Sequence, residues 1–286
     1  MLHRYNVCDR EEFKIKFVSE EILVEGFCNL TGRVAVITGP AKGMGAAATL
    51  TLAGAGADLV LVGRDMGPIE EVAAAARALG RRAEIVQCDV TSDSDVDAMR
   101  DAALGAYGTI DILVNIAGGT GPLGVHSWET TSEQFDQIVD LNMKGCFLTM
   151  KAVLPTMIDR HYGKIVNVGG TFGLRGRALR MAYSASKWGL RGITKSTALE
   201  VGPHNINVNC VCPGMVDGPR FQTVCAERAE KLGITIEEAR AQHEAEYALR
   251  RISTDQDVAN AILFFASDAS RNITGQDLAI DGGWVI

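Results

Sequence analysis

The sequence lacks the features that mark membrane proteins and nucleic-acid-binding proteins. It contains no apolar run long enough to cross a bilayer. Lys and Arg together number 28 against 35 for Asp and Glu, and the net charge of −7 has the wrong sign for a surface that binds nucleic acid or anionic lipid. We therefore expect neither a nucleic acid nor a membrane as a partner.

Signals for secretion, disulfide bonding and metal binding are absent as well. The seven cysteines include no CxxC pair, and several lie inside apolar runs such as Cys210-Val211-Cys212, which predicts reduced core thiols, no metal site and a cytoplasmic protein. Residues 1–30 are rich in Asp and Glu, whereas a signal peptide would be apolar and a transit peptide poor in acids. We interpret them as an N-terminal extension before one domain at 31–286, because no repeat, low-complexity tract or linker divides the rest.

From residue 33 onward, short β-branched segments alternate with alanine-rich segments of helical character. The predicted strands are 33–38, 59–62, 83–87, 111–115, 164–168, 206–211 and 278–280, and the predicted helices are 46–53, 69–79, 96–106, 132–157 and 182–201. Continuous apolar strands joined by helices are typical of a parallel sheet buried on both faces. We therefore expect an α/β fold, a doubly wound parallel sheet of the Rossmann type, with ligands at the carboxyl ends of its strands. Residues 218–254 are rich in Glu, Arg and Ala, which predicts a helical lid insertion over the site.

A glycine-rich segment follows the first predicted strand directly and leads into a helix. It has the sequence TGPAKGMG at residues 38–45. Gly39 permits a sharp turn, while Gly43, Met44 and Gly45 bring backbone close to a pyrophosphate at the amino end of the helix. A tight turn without a ligand is the alternative, but a strand before the glycines and a helix after them favour dinucleotide binding.

This segment resembles the TGxxxGxG motif of the short-chain dehydrogenase/reductase family, and further motifs follow in register. They are Asp89 after the third strand, NIAG at 115–118 where the family has NNAG, Asn142 in the long helix, YSASK at 183–187 and PG at 213–214. The resemblance covers about residues 30–286 and implies an NAD(P)-dependent oxidoreductase that interconverts a secondary alcohol and a ketone. The backbone and side-chain contacts to the cofactor that it implies are Gly39, Gly43, Met44, Gly45, Asp89, Val90, Asn115, Ala117, Gly118, Lys187, Pro213, Gly214 and Val216.

Tyr183 and Lys187 are four residues apart on a predicted helix, which places them on one face about one turn apart. A phenol normally titrates near pH 10, so it exchanges protons at neutral pH only where neighbouring positive charge stabilises the phenolate. The resemblance implies that Tyr183 is the general acid/base, that Lys187 assists it and binds the nicotinamide ribose, and that Asn142 holds a water of the proton relay. Taken singly, these residues could equally be a surface helix pair and a core amide.

One side chain of the family pattern is missing. The family has a serine thirteen residues before the tyrosine, where it bonds the substrate oxygen, and that position here is Gly170. Thr171 could take over the role, because Gly169 and Gly170 permit unusual backbone angles. Alternatively, a larger substrate could bring its own hydrogen-bonding group, or the protein could be slow, or a regulatory protein that only binds a dinucleotide. Losing one such donor costs roughly 100- to 1000-fold in rate, so we expect a working enzyme with Thr171 as a catalytic candidate.

The end of the second strand favours NADP over NAD. An acidic residue there would bind the ribose hydroxyls and repel a 2′-phosphate, but the position is Gly63, and Arg64 follows it. Lys42 adds a second cation from the glycine segment, at a place where related NADP-preferring enzymes carry one, while Asp65 leaves NAD possible.

A second departure from the family pattern is Gly218, where the family usually has a threonine that bonds the nicotinamide carboxamide.

Four arginines lie near Tyr183 or at the start of the predicted lid, namely Arg175, Arg177, Arg180 and Arg220. A guanidinium fork suits a carboxylate or phosphate, which indicates an anionic carbonyl or alcohol substrate. Salt bridges between subunits or plain solvent exposure are the alternatives. The resemblance also implies a homo-tetramer or homo-dimer, paired through the helices at 132–157 and 182–201.

Overall fold

The computed structural model describes residues 28–286, so the predicted N-terminal extension lies outside the described residues up to residue 27. Leu30 is 1% exposed and packs into the hydrophobic core. The packed domain therefore includes the last residue that the sequence assigned to the extension.

Within residues 28–286, seven strands form one sheet in the order β3-β2-β1-β4-β5-β6-β7. Their bounds are β1 Val34–Thr38, β2 Asp58–Gly63, β3 Ala83–Gln87, β4 Ile112–Asn115, β5 Gly163–Val168, β6 Ile206–Pro213 and β7 Asp277–Ile280. Every neighbouring pair is parallel. The predicted doubly wound parallel sheet is confirmed, and its strand order reverses between β1 and β4, the point at which such sheets bind their ligands.

Nine α-helices of the described chain surround this sheet. Their bounds are α1 Met44–Gly54, α2 Met66–Ala78, α3 Asp93–Tyr107, α4 Ser132–Val139, α5 Gly145–Arg160, α6 Met181–Val201, α7 Pro219–Leu232, α8 Ile236–Glu244 and α9 Asp255–Ala266.

Alternation of side chains along the strands divides the core between the two faces of the sheet. In β1, Ala35 and Ile37 join the cluster that contains residues of α1, α2 and α9. Val34 and Val36 join the cluster with residues of α3, α5 and α6. Both faces of the strand are thus buried, which is why its sequence is a continuous apolar run rather than an alternating one.

The prediction of one uninterrupted helix over 132–157 is wrong, because a π-helical segment divides it. After α4 ends at Val139, the residues Asp140–Lys144 form a π-helical segment, and α5 continues from Gly145. Segments of π-helix are rare and are frequently found at functional sites. Asn142 lies in this one.

Helix α9 was not predicted from the sequence. It begins after a capping box in which Thr254 bonds the backbone of Asp257, and Val258, Ile262 and Phe265 are buried along it. The segment 218–254, predicted as a helical lid, contains two helices, α7 and α8, separated by a turn at Gly233, while residues 245–254 are not helical. Its role as a lid stays a prediction.

The six described cysteines are free thiols, and all but Cys28 are buried. Burial raises the pKa of Cys88 and of Cys146 to about 11, so both stay protonated at neutral pH. Cys8 lies outside the described residues. Among the helices of residues 28–286, none combines the length and the apolarity that a membrane span requires.

Candidate active site

Two adjoining cavities open at the carboxyl ends of the strands and share Lys42 and Met44 in their walls. The β1 cleft has a volume of about 370 Å³, and its predicted contact residues are Gly39, Lys42, Met44, Gly45, Arg64, Asp89, Val90, Ala117 and Gly118. The β5 cleft has a volume of about 310 Å³, and its predicted residues are Lys42, Gly43, Met44, Gly170, Thr171, Tyr183, Pro213, Gly214 and Val216. The structure thus brings most of the predicted site together along one edge of the sheet.

The glycine segment presents bare backbone at the start of α1. Gly39 has a φ of +70°, and a Cβ there would lie 2.9 Å from the backbone nitrogen of Ala117. A Cβ at Gly45 would collide with the carbonyl oxygen of Gly39. Thr38 Oγ1 accepts hydrogen bonds from the backbone N–H groups of Ile116 and Ala117, each at 3.1 Å, and holds the two loops together. This is the cradle that a pyrophosphate needs at a helix N-terminus.

The β1 cleft ends at Gly63, Arg64 and Asp89. A Cβ at Gly63 would lie 2.8 Å from Cδ1 of Ile69, so an acidic side chain fits there only if Ile69 moves. Arg64 is 73% exposed, and its Nη1 lies 3.6 Å from Oδ2 of Asp89. Hydrogen bonds from Thr91, and to a smaller extent the charge of Arg64, lower the pKa of Asp89. This end of the cleft therefore holds an accessible guanidinium next to an ionised carboxylate.

Tyr183 lies in the wall of the β5 cleft, and Lys187 follows one turn later on α6. Lys187 is 7% exposed and its Nζ lies 5.8 Å from the centre of the Tyr183 ring. The same Nζ donates a 2.8 Å hydrogen bond to the carbonyl oxygen of Val168, the last residue of β5. The guanidinium carbon of Arg180 lies 4.7 Å from the ring centre, so two cations flank the phenol.

Asn142 lies behind the clefts and outside the lining of both cavities. Its Oδ1 accepts a 2.7 Å hydrogen bond from the N–H of Gly119, and its Nδ2 donates to the Gly119 carbonyl oxygen and to Ser186 Oγ, each at 3.1 Å. A Cβ at Gly118 would lie 2.9 Å from Asn142 Oδ1, which explains a glycine there. The side chain thus binds the loop after β4 to α6, from the middle of the π-helical segment.

Asn115 is not brought to a cleft. It is 2% exposed, its Nδ2 donates a 2.9 Å hydrogen bond to Asn167 Oδ1, and its Oδ1 accepts a 2.8 Å bond from Thr149 Oγ1. Asn167 Nδ2 continues the network to Thr194 Oγ1 at 2.9 Å. These four side chains join β4, β5, α5 and α6 beneath the site, so the contact of Asn115 with a cofactor stays a prediction.

Gly170 has an extended backbone that any residue can adopt, with φ 161° and ψ 157°. A Cβ there would lie 3.3 Å from the hydroxyl oxygen of Tyr183, so the missing side chain would stand beside the phenol. Thr171 is 4% exposed and lines the same cleft. Neither Gly169 nor Gly170 lies in the left-handed region of φ, so Thr171 reaches the cleft without the unusual backbone angles that the sequence suggested.

Helix α7 begins at the rim of the β5 cleft, where Pro219, Arg220 and Phe221 line the cavity. Nothing lies within 4 Å of a Cβ built on Gly218, so the space for the family's threonine is open. Arg240 of α8 holds Asp217 through both terminal nitrogens, at 3.2 Å and 2.6 Å, and ties the two lid helices to the start of the insertion.

The lining residues of the β5 cleft that the sequence analysis missed include Asp255 and Trp284. Asp255 opens α9, its Oδ1 lies 3.5 Å from a Cβ built on Gly43, and burial raises its pKa. The capping box that follows Thr254 was a signal for this position. Trp284 stacks on Tyr247, with ring centres 5.6 Å apart, and no local sequence pattern predicts that contact.

The four arginines take different positions around the β5 cleft. Arg220 lines it, Arg175 lies over the Trp284 ring at 4.3 Å, and Arg177 lies 5.9 Å from the centre of the Phe172 ring. Arg180 is 8% exposed and its Nη2 donates a 2.9 Å hydrogen bond to the carbonyl oxygen of Thr120. Among the described residues, no carboxylate oxygen lies within the 4.0 Å of an ion pair to any of these four.

An open parallel sheet with a glycine cradle at its switch point defines the class of dinucleotide-binding α/β proteins. Comparison with known proteins narrows the class. A family model described as enoyl-(acyl carrier protein) reductase matches residues 39–285. The 3-oxoacyl-(acyl-carrier-protein) reductase FabG of Thermotoga maritima is 36% identical over 258 residues, which make up 90% of this chain and 99% of that protein.

Solved structures of the same class of protein resemble this chain as well. NAD⁺-bound xylitol dehydrogenase matches with a TM-score of 0.83 and 30% identity over 89% of this chain and 99% of that one. A variant of actinorhodin polyketide ketoreductase with NADPH matches with a TM-score of 0.82 and 31% identity over 88% and 97%. The chain belongs to the short-chain dehydrogenase/reductase family, as its motifs predicted, and is an NAD(P)-dependent oxidoreductase of alcohol and carbonyl groups. Because one of these structures holds NAD⁺ and the other NADPH, membership does not fix the cofactor.

Proposed function

We propose that the protein is an NADP(H)-preferring oxidoreductase that interconverts a secondary alcohol and a ketone, with Tyr183 as the general acid/base. The observation that carries the proposal is the place of the phenol, in the wall of the β5 cleft and one helical turn from Lys187. The residues fit a nicotinamide dinucleotide, because the glycine cradle leaves backbone bare and the two clefts adjoin at Lys42 and Met44. When bound, that cofactor supplies or accepts the hydride.

In this proposal the protein's own groups handle the proton. Tyr183 exchanges it with the substrate oxygen, and the positive charges of Lys187 and Arg180 lie beside its ring. Lys187 also binds the nicotinamide ribose. Asn142 fixes the loop after β4 and holds the relay water that the family resemblance implies.

Thr171 replaces the family's serine as the donor to the substrate oxygen. It lines the cleft together with Gly170 and Tyr183, and its hydroxyl makes no hydrogen bond to another described residue. It is therefore available to a ligand in the cleft. The lid helix α7 brings Phe221 to the same cavity and helps to keep water from the reacting atoms.

The preference for NADP(H) rests on the far end of the β1 cleft. Arg64 is accessible there, Lys42 lines both cavities, and Gly63 stands where an acidic side chain would repel a 2′-phosphate. The ion pair of Arg64 with Asp89 is long, at 3.6 Å, and exposed, so it costs little to exchange for a phosphate.

A panel of ketones and secondary alcohols, assayed with both nicotinamide cofactors, tests the proposal. We expect turnover with NADPH or NADP⁺, and Arg64→Ala should weaken NADP⁺ binding roughly tenfold or more while NAD⁺ binding is unchanged. Arg271→Ala is the matched control, because Arg271 is exposed and makes no ion pair with a described residue. Equal losses for both cofactors would contradict the phosphate role. Cofactor binding without turnover of any substrate, unrestored by Gly170→Ser, would instead favour a regulatory dinucleotide-binding protein.

A further inference from the structure

Arg180 is a buried cation without a counter-ion among the described residues. Its side chain is 8% exposed, and burial, followed by the charges of Arg220 and Arg177, lowers its pKa. Its Nη2 bonds the carbonyl oxygen of Thr120, but its Nε is buried without a hydrogen-bond partner. A buried charge with an unsatisfied donor is destabilising unless something pairs with it. The fold therefore keeps here a group that is incomplete without a ligand or another partner.

This guanidinium lies against the reacting phenol. Its carbon is 4.7 Å from the centre of the Tyr183 ring, and Tyr183 and Arg220 both line the β5 cleft. Two carboxylates also line that cleft. Asp217 is already held by both terminal nitrogens of Arg240, and Asp255 lies beside Gly43 of the glycine segment. Arg220 thus lines the cleft without an ion pair to a described residue, and Arg180 adds a second positive charge against the phenol, just outside the lining residues.

We propose that Arg180, assisted by Arg220, binds an anionic group of the substrate, so that the substrate is a short oxo acid or the corresponding hydroxy acid. A guanidinium fork matches a carboxylate in geometry and charge. Because the guanidinium carbon of Arg180 lies 4.7 Å from the centre of the ring whose hydroxyl exchanges the proton, a carboxylate bound to Arg180 lies only a few bonds from the reacting carbonyl. This inference rests on the proposed oxidoreductase function and specifies its substrate class.

Matched pairs of acids and neutral esters test the inference. Pyruvate, acetoacetate and levulinate place a carboxylate at three distances from a ketone, and the methyl ester of each removes the charge and adds one methyl group. At saturating NADPH, the wild-type protein should prefer at least one acid to its ester in kcat/KM. Arg180→Gln should lower kcat/KM roughly 10- to 100-fold more for that acid than for its ester, mostly through KM. Arg180→Lys keeps the charge without the fork and should give an intermediate loss.

A control variant and two contrary results complete the test. Arg271→Gln removes an exposed arginine that makes no ion pair with a described residue, and it should change neither substrate. Equal losses for acid and ester in Arg180→Gln would show that Arg180 acts only by holding Thr120, and would overturn the inference. So would a wild-type protein that turns over neutral ketones and shows no preference for any acid, a result that leaves the proposed function intact.

If no substrate turns over, the proposed function fails, and calorimetry still decides the inference. Acetoacetate should bind the complex of the wild-type protein with NADP⁺ and lose that binding in Arg180→Gln. Absence of binding by all three acids would overturn it. A thermal melt of each variant establishes that it is folded before it is assayed, and Arg180→Lys serves where Arg180→Gln does not fold.

Discussion

Gly170 lies directly beside the hydroxyl of Tyr183, because a Cβ there would be in close contact with the phenol oxygen, at 3.3 Å, while the backbone is extended and ordinary. A serine could occupy this position without backbone strain. The backbone therefore does not require a glycine, but a serine needs the phenol to move by a few tenths of an ångström. In our proposal the hydroxyl for the substrate oxygen comes from a neighbour of Gly170. Thr171 is the next residue and lines the same cleft.

Substitution of Thr171 tests whether its hydroxyl takes the role of the serine that is missing at Gly170. Thr171→Val keeps the shape of the side chain and removes its hydroxyl, so kcat should fall roughly 100-fold or more while cofactor affinity is unchanged. Thr171→Ser should keep most of the activity. In the Thr171→Val background, Gly170→Ser should restore turnover, because it returns a hydroxyl to the side of the phenol. Steady-state kinetics decide the matter, and a fully active Thr171→Val protein would mean that the substrate brings its own hydrogen-bonding group.

Sequence spacing predicted the site residues whose relative positions depend only on one turn or one helix. The residues of the glycine segment lie within a few positions of one another, and a turn fixes their relative placement. Tyr183 and Lys187 are likewise four positions apart, and a helix fixes theirs. Asn142 and Asn115 depend on partners 23 and 52 positions away. The sequence could place them near the site only through the family resemblance, and it could not show that one anchors a loop while the other lies in a buried amide network.

At the scale of elements, the lid contains a titratable contact between its two helices. The ring of His243 on α8 lies edge-on to Phe221 of α7, with centres 5.7 Å apart, and its Nδ1 is 3.2 Å from Nη1 of Arg228. Burial, and then the charge of Arg228, lower the pKa of His243, whereas Glu246 opposes the shift and Arg177 adds to it. The packed lid therefore disfavours the protonated ring.

Acid should consequently loosen the lid. An unfolded histidine titrates near pH 6.5, so below that pH the unfolded chain binds a proton that the folded lid does not, and stability falls until the lowered pKa is reached. The loss from one such group is at most about 1.4 kcal/mol per pH unit. Urea unfolding at pH 7.5 and 5.5 should show a smaller decrease for His243→Gln than for the wild type. An identical decrease in both proteins would assign the acid sensitivity to other groups.

Elements were predictable where burial on both faces dictates composition. Strands β1, β2, β4, β5 and β6 have that character, whereas the edge strands β3 and β7 are partly exposed. Each observed strand agrees with its prediction to within two residues. Helix α9 could have been recognised from its capping box and from the spacing of Val258, Ile262 and Phe265. The π-helical segment could not, because Asn142 bonds a loop that comes close only in the folded chain.

At the scale of the whole molecule, the outer faces of α5 and α6 expose large apolar side chains. Phe147 is 47%, Trp188 49% and Leu199 83% exposed. These are helices through which the sequence predicted subunit pairing, and their exposed apolar faces support that prediction.

We expect light scattering to give a mass of two or four times 30.6 kDa, in keeping with the predicted homo-dimer or homo-tetramer. Leu199→Glu should dissociate the assembly, because a carboxylate would be buried without a partner in the interface. Leu232→Glu, at a side chain 51% exposed on α7, is the control and should leave the mass unchanged. A monomeric wild-type protein at micromolar concentration would refute pairing through these helices.

The account depends most on the proton exchange assigned to Tyr183, and Tyr183→Phe tests it with the loss of a single oxygen atom. With the best substrate of the panel and saturating cofactor, we predict that turnover falls roughly 100- to 10,000-fold. Cofactor affinity, measured by calorimetry, should stay at the wild-type value. A Tyr183→Phe protein that turns over at the wild-type rate would contradict the central claim.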